Sequence, residues 1–246
     1  MQPIVAYIPI FTTVFAIYFI VEITRHYKKR NTSYLLWWSI GVFAFGLGTF
    51  AESIHALFGW NEVNVRLWYI VGALLGGFPL AQGSVYLLMS RWFAHVSSVF
   101  FIVLILVASY YVTQTPFEVP LDFDYQLTGR VFKWTWVRQF SPIINIYSFI
   151  FLFGGAIYSA TKYYGSNDKK AHFKGNIFIA FGALLPGIGG TFTRLGHVEV
   201  LFITEFIGLI FIYIVYRIIK NDNRMKRESL TNITALLSDD KKVVHK

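Results

Sequence analysis

Seven stretches of the chain are almost continuously apolar, at 3–24, 34–58, 67–90, 95–113, 142–162, 173–193 and 199–219. Each is close to or above the roughly 20 residues that a helix needs to cross the hydrocarbon of a bilayer. Backbone in lipid has no water to bond, so every amide and carbonyl must find its partner within the segment, and runs of this length are expected to be helices. A membrane barrel would alternate polar and apolar residues instead. The pattern predicts an all-α bundle of seven membrane-spanning helices, spans 1 to 7 in chain order, with 220–246 as a basic tail.

The connection at 114–141 has a different rhythm. Phe117, Val119, Leu121, Phe123 and Tyr125 alternate with Glu118, Pro120, Asp122 and Asp124, and after Thr128-Gly129 the alternation resumes with Phe132, Trp134 and Trp136. A period of two around a turn predicts an external β-hairpin over the bundle, with Pro120 restricting its first strand to an edge. Its expected role is a cover packed on the helix ends, or a lid over an outer cavity.

Composition agrees with a lipid environment: 55% of the 246 residues are hydrophobic, 14% are charged, and the mean hydropathy is +0.52. The formal charge of +9 raises nucleic acid as a partner, but the basic residues are not spread as a binding face. Seventeen fall after spans 1, 3, 5 and 7, among them Arg25, Lys28, Lys29, Arg30, Arg91 and Lys162, and five (Arg66, Arg130, Lys133, Arg138, Arg194) fall on the other side. By the positive-inside rule the richer side is cytoplasmic, so the N-terminus is expected outside and the C-terminus inside a plasma or inner membrane. The partners expected are the bilayer and a small molecule, with no nucleic acid; a homo-oligomer or a cytoplasmic partner protein is compatible with the same pattern. With no cysteine, disulfides and thiolate chemistry are excluded, and no cofactor is indicated. Span 1 lacks a basic leader and a small-residue cleavage site and is expected to be retained.

Spans 2 and 6 share a glycine string. Gly41, Gly46, Gly48, Thr49 and Phe50 match Gly182, Gly187, Gly189, Thr191 and Phe192, given one added glycine at Gly190. Spans 1 and 5 match through Pro3-Ile4 with Pro142-Ile143, and spans 3 and 7 through Gly72 with Gly208. This predicts a 3+1+3 internal repeat: a first triplet at 1–90, a linker helix at 91–113, and a second triplet at 142–219. The plan resembles the SWEET sugar transporters and their PQ-loop relatives, which are also seven-helix proteins with an external N-terminus. The likeness is architectural: the Pro-Gln pair of PQ-loop proteins is missing, and Gln2-Pro3 has the reverse order. Rhodopsins are a poorer comparison because span 7 has no lysine for a retinal Schiff base, and the seven-helix zinc hydrolases need late intramembrane histidines that span 7 also lacks.

Ionisable groups inside spans are costly and become candidates for function. Glu52, His55, Arg194, His197 and Glu199 fall near the outer interface, and Glu205 about two turns inside span 7. The repeat sets Glu52 against Arg194, His55 against His197, and Tyr69 against Glu205; Gln82 and Asn145 are uncharged polar candidates. Three readings compete. Glu52 and Arg194 form a structural ion pair; or the cluster is the outer gate and substrate site of a transporter, with Glu205 exchanging protons; or Glu52, His55, His197 and Glu199 bind a metal. The leading expectation is a small-solute transporter or permease with its path between the two halves. The alternatives are a receptor or sensor acting through a separate partner, a membrane metalloenzyme, and a subunit of a larger complex.

Overall fold

The computed structural model describes residues 4–118, 127–165, 170–218 and 220–221. They contain seven helices long and apolar enough to cross a membrane: Ile4–Arg30, Ser33–Phe58, Glu62–Leu88, Arg91–Gln114, Thr135–Lys162, Gly175–Thr193 and Val198–Ile218. Large apolar side chains face outward along them, including Phe11 at 67%, Phe100 at 58% and Leu106 at 64% exposure. In water such a surface would aggregate, whereas lipid solvates it.

Local chemistry sets the ends of the spans. Asn31 stops span 1 in a left-handed conformation, φ 47°, its N–H bonding Tyr27 O at 2.7 Å. Gly59, φ 79°, stops span 2, and the Asn61 side chain then caps span 3 by accepting from Val63 N and Asn64 N at 2.9 and 3.3 Å. Ser90 caps span 4 through Phe93 N at 3.3 Å. Connections this short make consecutive spans antiparallel, so loops alternate between a face holding Asn31 and a face holding Trp60.

Small residues let the helices approach. A methyl on Gly48 would touch Gly72 Cα at 3.6 Å, one on Gly46 would touch Ala16 Cβ at 3.2 Å, and one on Gly208 would press on Gly182 O at 2.9 Å. Gly182 is four residues before Pro186, whose ring nitrogen donates no hydrogen bond, so one close approach of spans 6 and 7 falls at a carbonyl that the proline has freed, and a second lies at Gly189 against Leu201 and Thr204. Two apolar clusters fill the rest. One joins Phe78, Phe101 and Ile144 to the loop residues Leu127, Val131 and Phe132; the other joins Ala16, Phe19, Leu35, Val42, Leu80 and Leu209.

The expected hairpin is not found. The described residues of the connection form one isolated antiparallel bridge, Phe117 with Phe132, and no strand. Residues 119–126, which carry most of the first expected strand, lie outside the described residues. In place of the second come 3-10 turns at Gly129–Val131 and Thr135–Gln139. Val131 and Phe132 are adjacent and both buried, so the segment lacks the one-sided burial that the alternating pattern implied.

The two-triplet repeat gains no support either. Gly41 and Gly182 each pack on the following span, but Gly46 packs on span 1 while its counterpart Gly187 has nothing within 4 Å. Span 1 also packs on span 7, Phe15 and Phe19 each meeting Tyr213 edge to face at 5.2 Å. The same glycine string therefore serves two different environments.

Candidate functional site

Spans 3 and 5 each carry a π-helical segment, at Tyr69–Leu74 and Ile150–Gly154, and span 3 is also broken. Its backbone breaks at 75–77 before resuming as a helix at Phe78 with Pro79 in its first turn. Gly76 and Gly77 supply the freedom to break, and proline is at home at a helix start. The break takes Ala73 O out of the helical ladder. Span 5 satisfies it: Asn145 Nδ2 and Ser141 Oγ donate to Ala73 O, each at 3.1 Å. A methyl on Gly77 would sit 3.0 Å from Ser148 Cβ, so spans 3 and 5 are nearly in backbone contact there.

Beside this break lies a cavity of about 880 Å³, bounded by spans 2, 3, 5, 6 and 7 and by loop residues on the Trp60 face. Its walls are mostly apolar and unusually rich in glycine, with Gly48, Gly72, Gly76, Gly182, Gly187 and Gly190 among them. Missing side chains are what leave room inside an otherwise packed bundle. Spans 5 and 6 pack closely toward the Asn31 face and diverge toward the Trp60 face, which widens the space between them.

Two carboxyl groups face each other in this cavity. Glu52 is 2% exposed, its Oε1 accepting from Trp68 Nε1 at 3.0 Å; Glu205, half-buried on span 7, lines the same cavity beside it. Oε2 of each is shielded from solvent and has no partner. No ion pair to either is present among the described residues. With both acids ionised, Trp68 Nε1 is the one described donor to their four oxygens, and a proton on either acid supplies another.

The cover comes from 127–139. Leu127, Val131 and Phe132 are buried, Tyr69 meets Phe132 edge to face at 5.0 Å, and Gly129 is pressed against the Tyr69 ring, where a methyl would come within 2.7 Å. Arg130 and Arg138 contribute to the cavity lining from this cover. The segment is anchored to span 4 by Trp134 N donating to Thr115 Oγ1 at 3.0 Å.

Of the candidates read from sequence, Glu52, Tyr69, Asn145 and Glu205 meet at this cavity. Gln82 does not. It is fully buried between spans 3, 4 and 5, donating to Ala94 O and Ser98 Oγ at 2.8 Å and accepting from Tyr147 Oη at 2.6 Å, so it ties three spans together. His55 is half-buried one turn beyond Glu52, and His197 and Glu199 are exposed. The Arg194 side chain lies outside the described residues. No group of three potential metal donors is assembled among the described residues. Trp68, Ser141, Arg130 and Arg138 were not singled out beforehand as site residues. A tryptophan near the end of a span is ordinary at a membrane interface, and no spacing rule links Trp68 to Glu52.

No protein-family model, curated protein or solved structure matches this chain. Its likeness to SWEET-type transporters therefore rests on helix number alone, and function must be argued from the cavity.

Proposed function

We propose that this chain is a small-solute transporter or permease whose binding site is the cavity between spans 2, 3, 5, 6 and 7, with Glu52 and Glu205 at its polar centre. The observation that carries the reading is the carboxyl pair itself: buried Glu52 beside Glu205 in one cavity, each with a shielded Oε2 lacking a donor and neither in an ion pair among the described residues. A structural role would be served better by an apolar pair or by an ion pair, so a pair held this way suits an occupant that comes and goes. A proton or a protonated amine supplies the missing donors, and the Trp68 and Tyr69 rings offer faces to a cationic group. The broken span 3 gives a backbone able to rearrange as the site opens, as discontinuous helices do in other transporters. The path between halves does not require the halves to be related by a repeat. With the N-terminus outside, the Trp60 face and its cover are external.

The test uses proteoliposomes loaded with a pH-sensitive dye and challenged with a panel of small amines and sugars. Solute-driven proton movement by the wild type, lost in Glu205→Gln, supports the reading. Flux that survives in Glu205→Gln removes the carboxyl pair from the mechanism. Absence of flux with every solute, alongside saturable binding of one of them, favours a sensor that signals through a separate cytoplasmic partner.

A further inference from the structure

A second recess lies on the opposite face, between the ends of spans 1 and 7. It encloses about 350 Å³ and is lined by Tyr18, Glu22, Arg25, His26 and Lys29 from span 1 and by Arg217 and Lys220 from the end of span 7. Spacings of three and four residues place each set on one side of its helix, so the two stripes face each other.

The charges in this recess do not balance. Among the described residues Glu22 is the one acid lining it, and it is already satisfied: Lys220 Nζ donates to Oε1 at 2.8 Å, Tyr213 Oη donates to Oε2 at 2.9 Å, and Arg217 Nη1 stands 3.6 Å from Oε2. Arg217 Nη1 also donates to Tyr213 Oη at 3.0 Å. Glu22 thus holds the span 7 cations in place. Arg25 and Lys29 line the same recess, and no described carboxylate pairs with them. Among the described residues four cations share one carboxylate, and His26 Nδ1 is shielded without a hydrogen-bond partner.

The apolar surface beneath the recess continues it. Phe11, Val14, Tyr18 and Val21 are all exposed and recur at spacings of three and four, and the next position in that stripe is Arg25. Their side chains form one outward strip about four turns long that ends at the recess. A strip of this kind fits an acyl chain, and its charged end falls at headgroup depth. A free anion would make no use of the strip.

We propose that this recess is a binding site for an anionic phospholipid, with the phosphate held by Arg25 and Lys29 beside the Glu22-fixed Arg217 and Lys220, and an acyl chain lying along Phe11, Val14 and Val21. The assignment is independent of what the central cavity carries. It turns one end of the span 1–span 7 contact into a three-part joint of helix, helix and lipid.

The experiment compares phosphatidylcholine nanodiscs with and without phosphatidylglycerol, reading lipid retained by the released protein in native mass spectrometry. Wild-type protein should retain phosphatidylglycerol in preference to phosphatidylcholine. Arg25→Gln with Lys29→Gln should weaken retention roughly 30-fold, since each basic group near the surface contributes about a fivefold factor. Lys28→Gln with Arg30→Gln removes the same charge from exposed positions outside the recess and should leave retention unchanged. Equal loss in the two double variants would overturn the site, because it would show diffuse attraction to the whole basic face. Thermal stabilisation of lipid-free protein by inorganic phosphate as strong as that by phosphatidylglycerol would equally overturn the lipid assignment in favour of a soluble anion.

Discussion

Glu52 and Glu205 make opposite demands on stability and on function, and that conflict can be measured. Their shielded oxygens lack donors in the folded protein. Replacing either acid with glutamine supplies an amide donor to the other, so Glu52→Gln and Glu205→Gln should each stabilise the folded protein, by about 1 kcal/mol, while reducing solute-coupled proton flux. Thermal unfolding in detergent, read beside the flux assay, checks both halves; a fall in stability would mark the pair as structural. Arg66 shows the contrary case of a charge whose role is structural. Its guanidinium donates to Thr115 O at 2.9 Å and to Val112 O, carbonyls left over at the end of span 4, and it stands 4.3 Å from the centre of the Phe117 ring. Arg66→Ala should lower stability by about 2 kcal/mol. Lysine there should recover part of the loss, since it cannot reach two carbonyls in one plane. Neither role was legible in the sequence. The rarity of acids within spans pointed to Glu52 and Glu205, but their pairing, and the link from residue 52 to Trp68, exist only once spans 2, 3 and 7 are packed.

At the scale of the element, apolar runs and terminators located the spans, because hydrocarbon thickness and backbone bonding leave few alternatives. The break in span 3 was only half visible. Gly76, Gly77 and Pro79 weaken a helix wherever they stand, whereas the hand-over of Ala73 O to Asn145 depends on a neighbouring helix. The loop at 127–139 misled for a related reason: period-two alternation resembles a strand when nothing shows that both sides are covered. The glycines now separate into two kinds by what surrounds them. Gly208→Val drives a side chain into Gly182 O and should destabilise the contact of spans 6 and 7 by about 1–3 kcal/mol. Gly187→Ala meets nothing within 4 Å and should leave stability unchanged or raised by up to about 1 kcal/mol through helix propensity. Gly187→Trp, at the same open position, should fill the cavity and block flux while the protein still folds. Unfolding curves for all three, with flux for the last, separate packing glycines from those that make room.

For the whole molecule, the proposed direction of transport depends on which face is external, and this rests on the uneven distribution of lysine and arginine. The bundle holds its two faces by different means. The Trp60 face is closed by a packed aromatic cover joining Trp60, Phe117, Phe132 and Tyr69, and the Asn31 face carries the basic recess between spans 1 and 7. The recess is built from Arg25, Lys29, Arg217 and Lys220, which already enter the charge bias, so the orientation needs a test of its own. The chain contains no cysteine, which makes the test direct. Glu62→Cys and Leu195→Cys place single thiols at exposed positions on the Trp60 face, and Arg30→Cys places one at an exposed position on the Asn31 face. In intact cells a membrane-impermeant maleimide should label the first two and spare the third until the membrane is permeabilised. The reverse labelling would make the cover cytoplasmic and put the basic recess in the outer leaflet. The site chemistry of the central cavity would survive that result, but its mouth would then open to the cytoplasm and the proposed direction of solute entry would reverse.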